Sequence, residues 1–596
     1  MIPNTNKMTL DKIHMINSDS FPDMKNLQAY LPVYQVLPVI VPTNQIVNET
    51  HIIDKHGIIS ERDIFIKYSP LLDPSSYLLG KYDDFGYDAI RALPCESNDQ
   101  IPFKKLYNIH NSSYVDSLFS CISSQLRYTH GFAHATEYYG SFLGIKKNFR
   151  LNIADDLEHL QSFPIFSERA GKTFSAENME CLLSTNPKLR ISESNADYLN
   201  DIISLDKEEP DVGGSESELK ESESEIKEIS LTETHISTDD IIHIQRNHKY
   251  KNETNYCESV TSNSSINYTD DEDEDEEDND DKNTNREDEN VNTNREDESD
   301  QDIDQEEEEE DNWEDEDDED DEEENDDIPI YIHIYDFPTQ MICLEKCEDT
   351  LDSLLLYDTL NEQECASCLF QIIMTLIMYQ KHFKFTHNDL HTNNIVYKST
   401  DATHFVYYYD GNTYKVPTHG RIYKIIDFGR SIYTISNADT KNPLFMCSDS
   451  FAELGDGHSQ YNFIAPYGEN NYYDNRKPIV EPNYSFDLCR LGCSMYDFFM
   501  DIDDLSSLKK KTPLQNLIHQ WCLDDCGKHL LYMKSGKDRY PHFKLYKMIA
   551  RTAHNHLPQS QLNHPLFQSF LIKTKKNKKE KEIKPSKKET FICMHI

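Results

Sequence analysis

Short runs in which apolar and polar residues alternate predict strands in several parts of the chain. The first pair is "IPIYIHIY" (328–335) and "QMICLEK" (340–346), with the turn-forming "DFPT" between them. A second group lies between 395 and 429 and comprises "IVYK", "HFVYYYD", "NTYKVP" and "RIYKIIDFG". Within it, Asp410-Gly411 predicts a hairpin turn. The pattern therefore indicates two strand-rich regions, the second with a hairpin.

Between these regions, apolar residues recur with the period of a helix. One face of the predicted helix over 361–380 carries Leu369, Ile372, Ile373, Leu376 and Ile377. From residue 484 onward the patterns are mostly helical. Strands with one helix come first and a largely helical half follows, which predicts an α+β fold.

An acidic block interrupts this order. Residues 206–327 carry 54 acidic and 9 basic side chains, so −45 of the net charge of −50 lies there and −5 elsewhere. The block includes a tandem repeat, "NTNREDE", at 283–289 and 292–298. Because such a segment cannot bury enough apolar surface to offset the entropy of ordering, we predict a disordered insertion. The basic stretch 573–588 is predicted to be disordered as well.

The composition gives little support for a membrane protein or a zinc-finger protein. No apolar run reaches the about 18 residues that a membrane-spanning helix needs, and no signal peptide is evident. We therefore expect an intracellular chain, in which most of the 14 cysteines are buried apolar residues. Cys365 and Cys368 form one C-x-x-C pair, but a zinc finger would need a second close pair.

A polar stretch, "THNDLHTNNIVY" (386–397), follows the apolar helix directly. His387 and His391 are four residues apart and would share one face of a helix. The helical metalloprotease motif, however, needs a glutamate where Asn388 stands, and the stretch is typical of a loop. We therefore disfavour a zinc site here.

The same stretch resembles the catalytic loop of the protein-kinase superfamily, in which an aspartate and an asparagine are five positions apart, as Asp389 and Asn394 are here. A strand and a D-F-G motif should follow, and "KIIDFG" supplies Asp427. Farther on, "SFDLCRLGCSMYDFF" is similar to the family's helix with a buried aspartate, Asp487, and a glycine five positions later, Gly492.

The resemblance implies a two-lobed kinase-like fold that is interrupted by the acidic insertion. It assigns residues 30–205 and 328–346 to a small β-rich N-lobe with one key helix, and residues 347–572 to a larger, mainly helical C-lobe. Residues 1–29 then form an N-terminal extension, and residues 573–596 form a basic tail.

Two further passages resemble the family's ATP site. "RDIFIKYSP" looks like the strand that bears the ATP lysine, here Lys67. "MICLEKCEDTLDSLL" looks like the strand and hinge that meet the adenine, with Leu344 as gatekeeper and Glu345 to Cys347 as hinge. The resemblance therefore implies that the chain binds ATP.

The roles that the resemblance assigns are chemically consistent. Asp427 and Asn394 would supply oxygen ligands to Mg²⁺, and Lys67 would lie against the phosphate oxygens. Asp389 would orient the acceptor hydroxyl and take its proton late in the reaction. His391 stands two positions after Asp389, where serine/threonine kinases carry a lysine.

Several positions depart from the family pattern. Gly57 is the only glycine between Val47 and Lys67, where a glycine-rich phosphate loop is expected. The helix predicted at 111–126 has no glutamate to pair with the lysine, so Asp116 is the first candidate and Glu137 the second. These departures and the Asn-, Ile- and Tyr-rich composition are also similar to the divergent kinases of giant DNA viruses.

Three functions remain open at this point. They are a protein kinase specific for serine or threonine, a pseudokinase that binds nucleotide or acts as a scaffold, and a small-molecule kinase of the aminoglycoside type, which His391 favours. We favour the first because the lysine, both aspartates and the asparagine are present. A protein substrate is expected, whereas nucleic-acid and membrane binding are not, and the oligomeric state is open. The acidic insertion either binds a basic protein partner or is a solvated spacer.

Overall fold

The computed structural model describes residues 13, 16–96, 103–154, 156–177, 329–357, 359–436, 443–451, 457, 460–461, 481–500, 511–533, 536–541, 543–572 and 589–596. The predicted acidic insertion and the basic stretch 573–588 lie outside these residues, as do residues 1–12 of the predicted extension.

The alternating pattern of the first half produces one large antiparallel sheet and one small one. The strands are β1 (Met24–Gln28), β2 (Asn44–Asn48), β3 (His51–Asp54), β4 (Ile59–Glu61), β5 (Ile64–Pro70), β6 (Tyr138–Asn152), β7 (Phe174–Ala176) and β8 (Tyr331–Glu345). The large sheet has the order β1-β6-β8-β5, with β7 paired to β8, and the small sheet has the order β2-β3-β4. Strand β1 lies within the predicted N-terminal extension, so that segment contributes to the sheet that carries Lys67.

Strand β8 is continuous over 15 residues, and the turn predicted at 336–339 is wrong. Strand β6 pairs with β8 from Tyr331 to Leu344 and keeps the same register on both sides of Asp336, which has a φ of +48° and no partner in this ladder. On its other side, β8 pairs with β7 only as far as Ile334 and with β5 only from Thr339. Pro338 therefore lies where β8 has one neighbour, a position that tolerates a residue without an N–H.

Five helices of the first half accompany these sheets in the described residues. They are α1 (Pro74–Leu78), α2 (Lys104–Tyr107), α3 (Ser112–His130), α4 (Leu157–Gln161) and α5 (Pro164–Arg169). Helix α3 begins after Asn111, whose side chain accepts a hydrogen bond from the Ser113 N–H, and ends at Gly131 with a φ of +63°. Such a left-handed residue is a common helix terminator, and glycine adopts it without a steric penalty. Helix α3 lies against the large sheet, where Gln340 of β8 donates to the Ser117 hydroxyl at 2.7 Å.

The second half contains the remaining elements. They are β9 (Asp349–Thr350), α6 (Leu351–Leu356), α7 (Glu362–Phe383), β10 (Ile395–Ser399), β11 (His404–Tyr409), β12 (Asn412–Pro417), β13 (Arg421–Ile425), β14 (Ile432–Ile435), β15 (Leu444–Cys447), α8 (Phe486–Phe499), α9 (Pro513–Trp521), α10 (Lys544–Thr552), α11 (Pro558–Gln561) and β16 (Phe591–His595). Small sheets join β13-β10-β9, β12-β11-β16 and β14-β15. The hairpin turn predicted at Asp410-Gly411 is confirmed, since both residues have positive φ between β11 and β12.

Helix α7 forms the centre of the hydrophobic core. A capping box formed by Asn361 and Glu364 starts it. The sequence predicted one apolar face, but the helix is buried on nearly every side, because other elements surround it. The ring of Phe370 alone lies within 5.7 Å of four other aromatic rings. Beside it, Gly492 lets α8 approach α9 closely, because a Cβ there would lie 2.6 Å from the Cβ of Trp521.

The predicted basic tail ends in ordered structure. Strand β16 pairs in parallel with β11, and Met594 within it is buried. The described chain is thus mixed α+β, as predicted, and compatible with two lobes. Its first part is β-rich, whereas the described residues of its second part form eight strands as well as six helices, so this part is less helical than predicted. Within the described residues, no helix has both the length and the apolar character needed to cross a bilayer.

Candidate active site

Lys67 lies at the centre of a buried group of charges. Its Nζ atom is 2.7 Å from Asp116 Oδ2 and 2.8 Å from Asp427 Oδ1, and the residue is 6% exposed. Burial by itself lowers the pKa of Lys67, but the two carboxylates outweigh it and raise this pKa above its usual value. The ammonium group is therefore charged at neutral pH and held in one place by two aspartates.

Asp116 connects Lys67 to the D-F-G segment. Its other oxygen accepts a hydrogen bond from the Phe428 N–H at 3.0 Å. Glu137, the second candidate for the lysine partner, instead accepts hydrogen bonds from Asn44 and Tyr128. The structure thus brings Asp116 to Lys67, whereas Glu137 is engaged elsewhere.

Asp487 fixes the loop after α7 through hydrogen bonds to its backbone. This buried carboxylate accepts hydrogen bonds from the N–H groups of His387, at 2.9 Å, and Asn388, at 3.0 Å. Burial raises the pKa of Asp487 to about 6, although these donors oppose the shift. His387 donates from Nε2 to the Ile426 carbonyl at 3.0 Å and accepts at Nδ1 from the Asp389 N–H at 3.2 Å. These contacts tie the loop to the strand that leads to Asp427.

Asp389 is presented by this loop and is 7% exposed. Its Oδ1 atom accepts a hydrogen bond from the Tyr546 hydroxyl at 2.7 Å. Burial raises the pKa of Asp389, but the charge that His391 carries when protonated, the charges of Arg430 and Arg490 and the hydrogen bond from Tyr546 outweigh it and hold this pKa below its usual range. Asp389 is therefore ionised at neutral pH and can accept a proton.

Asn394 lies beside Asp389 in an orientation that frees its amide oxygen. Its Nδ2 donates to the Asp389 carbonyl at 2.9 Å and to His391 Nε2 at 3.1 Å. Since Nε2 accepts, His391 is neutral, and burial lowers its pKa. The carbonyl of Asn394 also accepts a hydrogen bond, at 3.0 Å, from the N–H of Ile426, which directly precedes Asp427.

The side-chain oxygens of Asn394 and Asp427 are suitable ligands for a hard divalent cation. Asn394 offers a neutral amide oxygen, and Asp427, with its side chain 24% exposed, offers a carboxylate. Mg²⁺ is commonly held by one or two protein oxygens together with phosphates and waters. The Asp427 backbone has a φ of +62°, an unusual value for a residue with a side chain. No group of three or more His, Cys, Asp or Glu suited to a metal occurs in the described part of the chain.

The predicted hinge residues lie at the end of β8. Leu344 is buried in the sheet and pairs with Phe65 and Tyr138. The Glu345 side chain contacts Lys424 and, at 3.3 Å, Arg127. Burial raises the pKa of Glu345, but these cations outweigh it and lower this pKa to about 2.

Because these ion pairs engage the Glu345 side chain, the backbone of the predicted hinge is the part that could form hydrogen bonds with a ligand. The Glu345 N–H donates to the Glu137 carbonyl. The N–H of Cys347 makes no hydrogen bond within the described residues, so it remains able to donate.

Gly57 was also predicted as a site residue, but it does not join the charged group of Lys67, Asp116 and Asp427. It lies in the turn between β3 and β4, is exposed, and has open space where a Cβ would stand. Its sheet is separate from the one that carries Lys67.

Sequence reasoning missed Tyr546, Arg430 and Arg490. Arg430 directly follows the D-F-G motif and Arg490 lies three residues after Asp487, so both motifs could have drawn attention to them. Tyr546 is 157 residues from Asp389 and carries no local signal.

Comparisons with known proteins give one short match and no family assignment. No family model matches the chain. The serine/threonine-protein kinase haspin of Mus musculus is 34% identical over 98 residues, which is 16% of this chain and 12% of haspin. The chain therefore matches about an eighth of that relative's length. This similarity hints at a protein-kinase-like relationship.

Proposed function

We propose that this chain is an ATP- and Mg²⁺-dependent protein kinase that transfers the γ-phosphoryl group to serine or threonine hydroxyls of proteins. The observation that carries the proposal is the backbone hydrogen bond from the Ile426 N–H to the Asn394 carbonyl, which joins two groups of polar residues. Lys67, Asp116 and Asp427 form one, and the loop with Asp389 and Asn394 forms the other. The short resemblance to a serine/threonine kinase supports the same reaction class.

Each residue has a chemical role in this proposal. Lys67 binds phosphate oxygens of ATP, and Asp116 keeps its ammonium group in position. Asp427 and Asn394 would hold Mg²⁺, which when bound neutralises charge on the phosphates. Asp389 orients the acceptor hydroxyl and takes its proton as the phosphoryl group transfers. Since Asp389 is ionised at neutral pH, it can begin the reaction as a base.

The hinge completes the proposed ATP site. The N–H of Cys347 would donate to the adenine, and Leu344 would limit the depth of the pocket as gatekeeper. The narrower resemblance to kinases of giant DNA viruses rests on sequence motifs alone.

A nucleotide-binding pseudokinase is the second candidate, and two observations favour it. Gly57 lies in a turn of a separate sheet, so a glycine-rich grip on the phosphates is not formed by that residue. In addition, Phe65 shares the face of β5 with Lys67, at a position where the kinase motif V-A-I-K has alanine. A bulky side chain there narrows the space for an adenine.

One experiment separates the two candidates. The purified chain is incubated with labelled ATP, Mg²⁺ and a panel of generic protein acceptors, with Asp389→Asn as the control. We expect label transfer by the wild-type protein, its loss in Asp389→Asn, and ATP binding nearly unchanged in that variant. An ATP-induced thermal shift without transfer to any acceptor would establish the pseudokinase instead.

A further inference from the structure

The contact between Tyr546 and Asp389 is a second feature of the site, separate from the nucleotide-binding residues. Tyr546 belongs to helix α10, in a part of the chain remote in sequence from the loop that it meets. Its ring stacks on Phe543 with centroids 5.4 Å apart. The guanidinium carbon of Arg490 lies 5.1 Å from the same ring and that of Arg430 lies 5.6 Å away.

The Tyr546 hydroxyl lies at the distance from Asp389 that the hydroxyl of a substrate would need. A base takes a proton from a hydroxyl whose oxygen lies about 2.6–3.2 Å from it. The hydroxyl of Tyr546 donates to Asp389 at 2.7 Å. Asp389 is only 7% exposed and its Oδ1 atom already accepts from Tyr546, so Tyr546 restricts the access of another hydroxyl to this carboxylate.

The helix that carries Tyr546 is anchored by few buried residues. Helix α10 has nine residues, of which only Ile549 and Ala550 are buried. A helix this short has little stability of its own, so its position depends on the contacts of a few side chains. Tyr546 as a whole is partly exposed, although its hydroxyl lies against the buried Asp389. Burial raises the pKa of Tyr546 to about 12, so at neutral pH it remains a protonated donor.

We propose that Tyr546 is an internal competitor of the acceptor: its hydroxyl occupies the place on Asp389 that a substrate hydroxyl must take, and productive binding requires its displacement. This inference rests on the proposed kinase function and adds a residue that controls access to Asp389. Tyr546 acts through Asp389 and takes no part in the transfer itself.

The test compares Tyr546→Phe with the wild-type full-length chain in steady-state kinetics. The acceptors are a mixed histone fraction and dephosphorylated casein, and ATP and acceptor concentrations are varied independently. Tyr532→Phe is the matched control, since the Tyr532 hydroxyl also donates to a carboxylate, Asp497, at 2.8 Å. We expect Tyr546→Phe to lower the KM for the acceptor about tenfold, with the KM for ATP and kcat unchanged. Tyr532→Phe should match the wild-type protein.

Other outcomes overturn the inference in distinguishable ways. A lower kcat with unchanged acceptor KM would show that Tyr546 positions Asp389 instead of competing for it. Phosphate found on Tyr546 by mass spectrometry would show that it is an acceptor. Transfer with identical constants in both proteins overturns this inference alone, whereas no transfer by either protein overturns the kinase proposal as well.

A second measurement serves if Tyr546→Phe does not fold. The wild-type protein is nitrated briefly with and without saturating acceptor, and modified tyrosines are quantified by mass spectrometry. Displacement predicts that acceptor increases nitration of Tyr546 several-fold and leaves Tyr532 unaltered. Equal nitration of Tyr546 in both samples would contradict the proposal.

Discussion

The buried contact between Lys67 and Asp116 should appear as a large coupling energy in a double-mutant cycle. The cycle consists of Lys67→Met, Asp116→Asn and the double variant. At 2.7 Å, with an effective dielectric constant of about 20, the gross attraction is about 6 kcal/mol. Removal of both ions from water offsets much of this energy.

The single substitutions differ in what they leave behind. Lys67→Met leaves Asp116 and Asp427 close together without their cation, which should lower the free energy of unfolding by about 3–5 kcal/mol. Asp116→Asn leaves Lys67 paired with Asp427 at 2.8 Å, so we expect a loss of about 1.5–3 kcal/mol. The double variant lacks the uncompensated Asp116 carboxylate that Lys67→Met leaves behind. Its loss should therefore be about 1.5–3 kcal/mol smaller than the two single losses combined.

Urea unfolding monitored by circular dichroism and by fluorescence measures these free energies. The control cycle uses Lys415→Met and Glu589→Gln, which remove a partly exposed pair at 2.7 Å whose side chains are 27% and 29% exposed. That coupling should be below about 1 kcal/mol and should fall with added salt, whereas the Lys67 coupling should persist. If the Lys67 cycle gives no more coupling than the control, the buried charge cluster is not as described.

Three further outcomes are expected. Asp427→Ala should remove the Mg²⁺ dependence of ATP binding, and isothermal titrations that show equal insensitivity to Mg²⁺ in both proteins would contradict the assigned role of this carboxylate. For Glu345, burial raises the pKa but Lys424 and Arg127 outweigh it, and the folded pKa of about 2 lies below the ordinary 4.5. Its stabilisation is therefore present above about pH 4.5 and is lost as the pH falls toward 2. The difference in unfolding free energy between wild type and Glu345→Gln should shrink over that range in urea titrations, and a constant difference would exclude this linkage. Deletion of 206–327 should leave a cooperatively melting, active protein, because β7 and β8 on either side are already paired and closure entropy grows by only about 0.6 kcal/mol per doubling of loop length. The deletion takes the net charge from −50 to −5, so salt-sensitive binding to a histone fraction should weaken, and unchanged binding would favour the spacer.

Local signals account for the elements that were predicted well. The helix predicted at 361–380 is found as Glu362–Phe383, and the capping box that starts it involves residues three positions apart. The turn at Asp410-Gly411 is likewise specified by two adjacent residues that accept positive φ. The predicted turn at 336–339 failed because β6 pairs with Phe337, Pro338 and Thr339 of β8, a contact between distant segments.

The sequence by itself determined the strands near 328–346 and 395–425, the helix near 361–380, the charge distribution, and the residue types in the loop that carries Asp389 and Asn394. These features depend on neighbours within a few positions, so periodicity and spacing are sufficient to predict them.

Only the tertiary structure decided which side chains meet. It paired Lys67 with Asp116 and not with Glu137, placed Gly57 away from the charge cluster, and brought Tyr546 onto Asp389. Each outcome depends on how burial and hydrogen bonding are satisfied together by segments from 49 to 157 residues apart, and no local pattern encodes that balance.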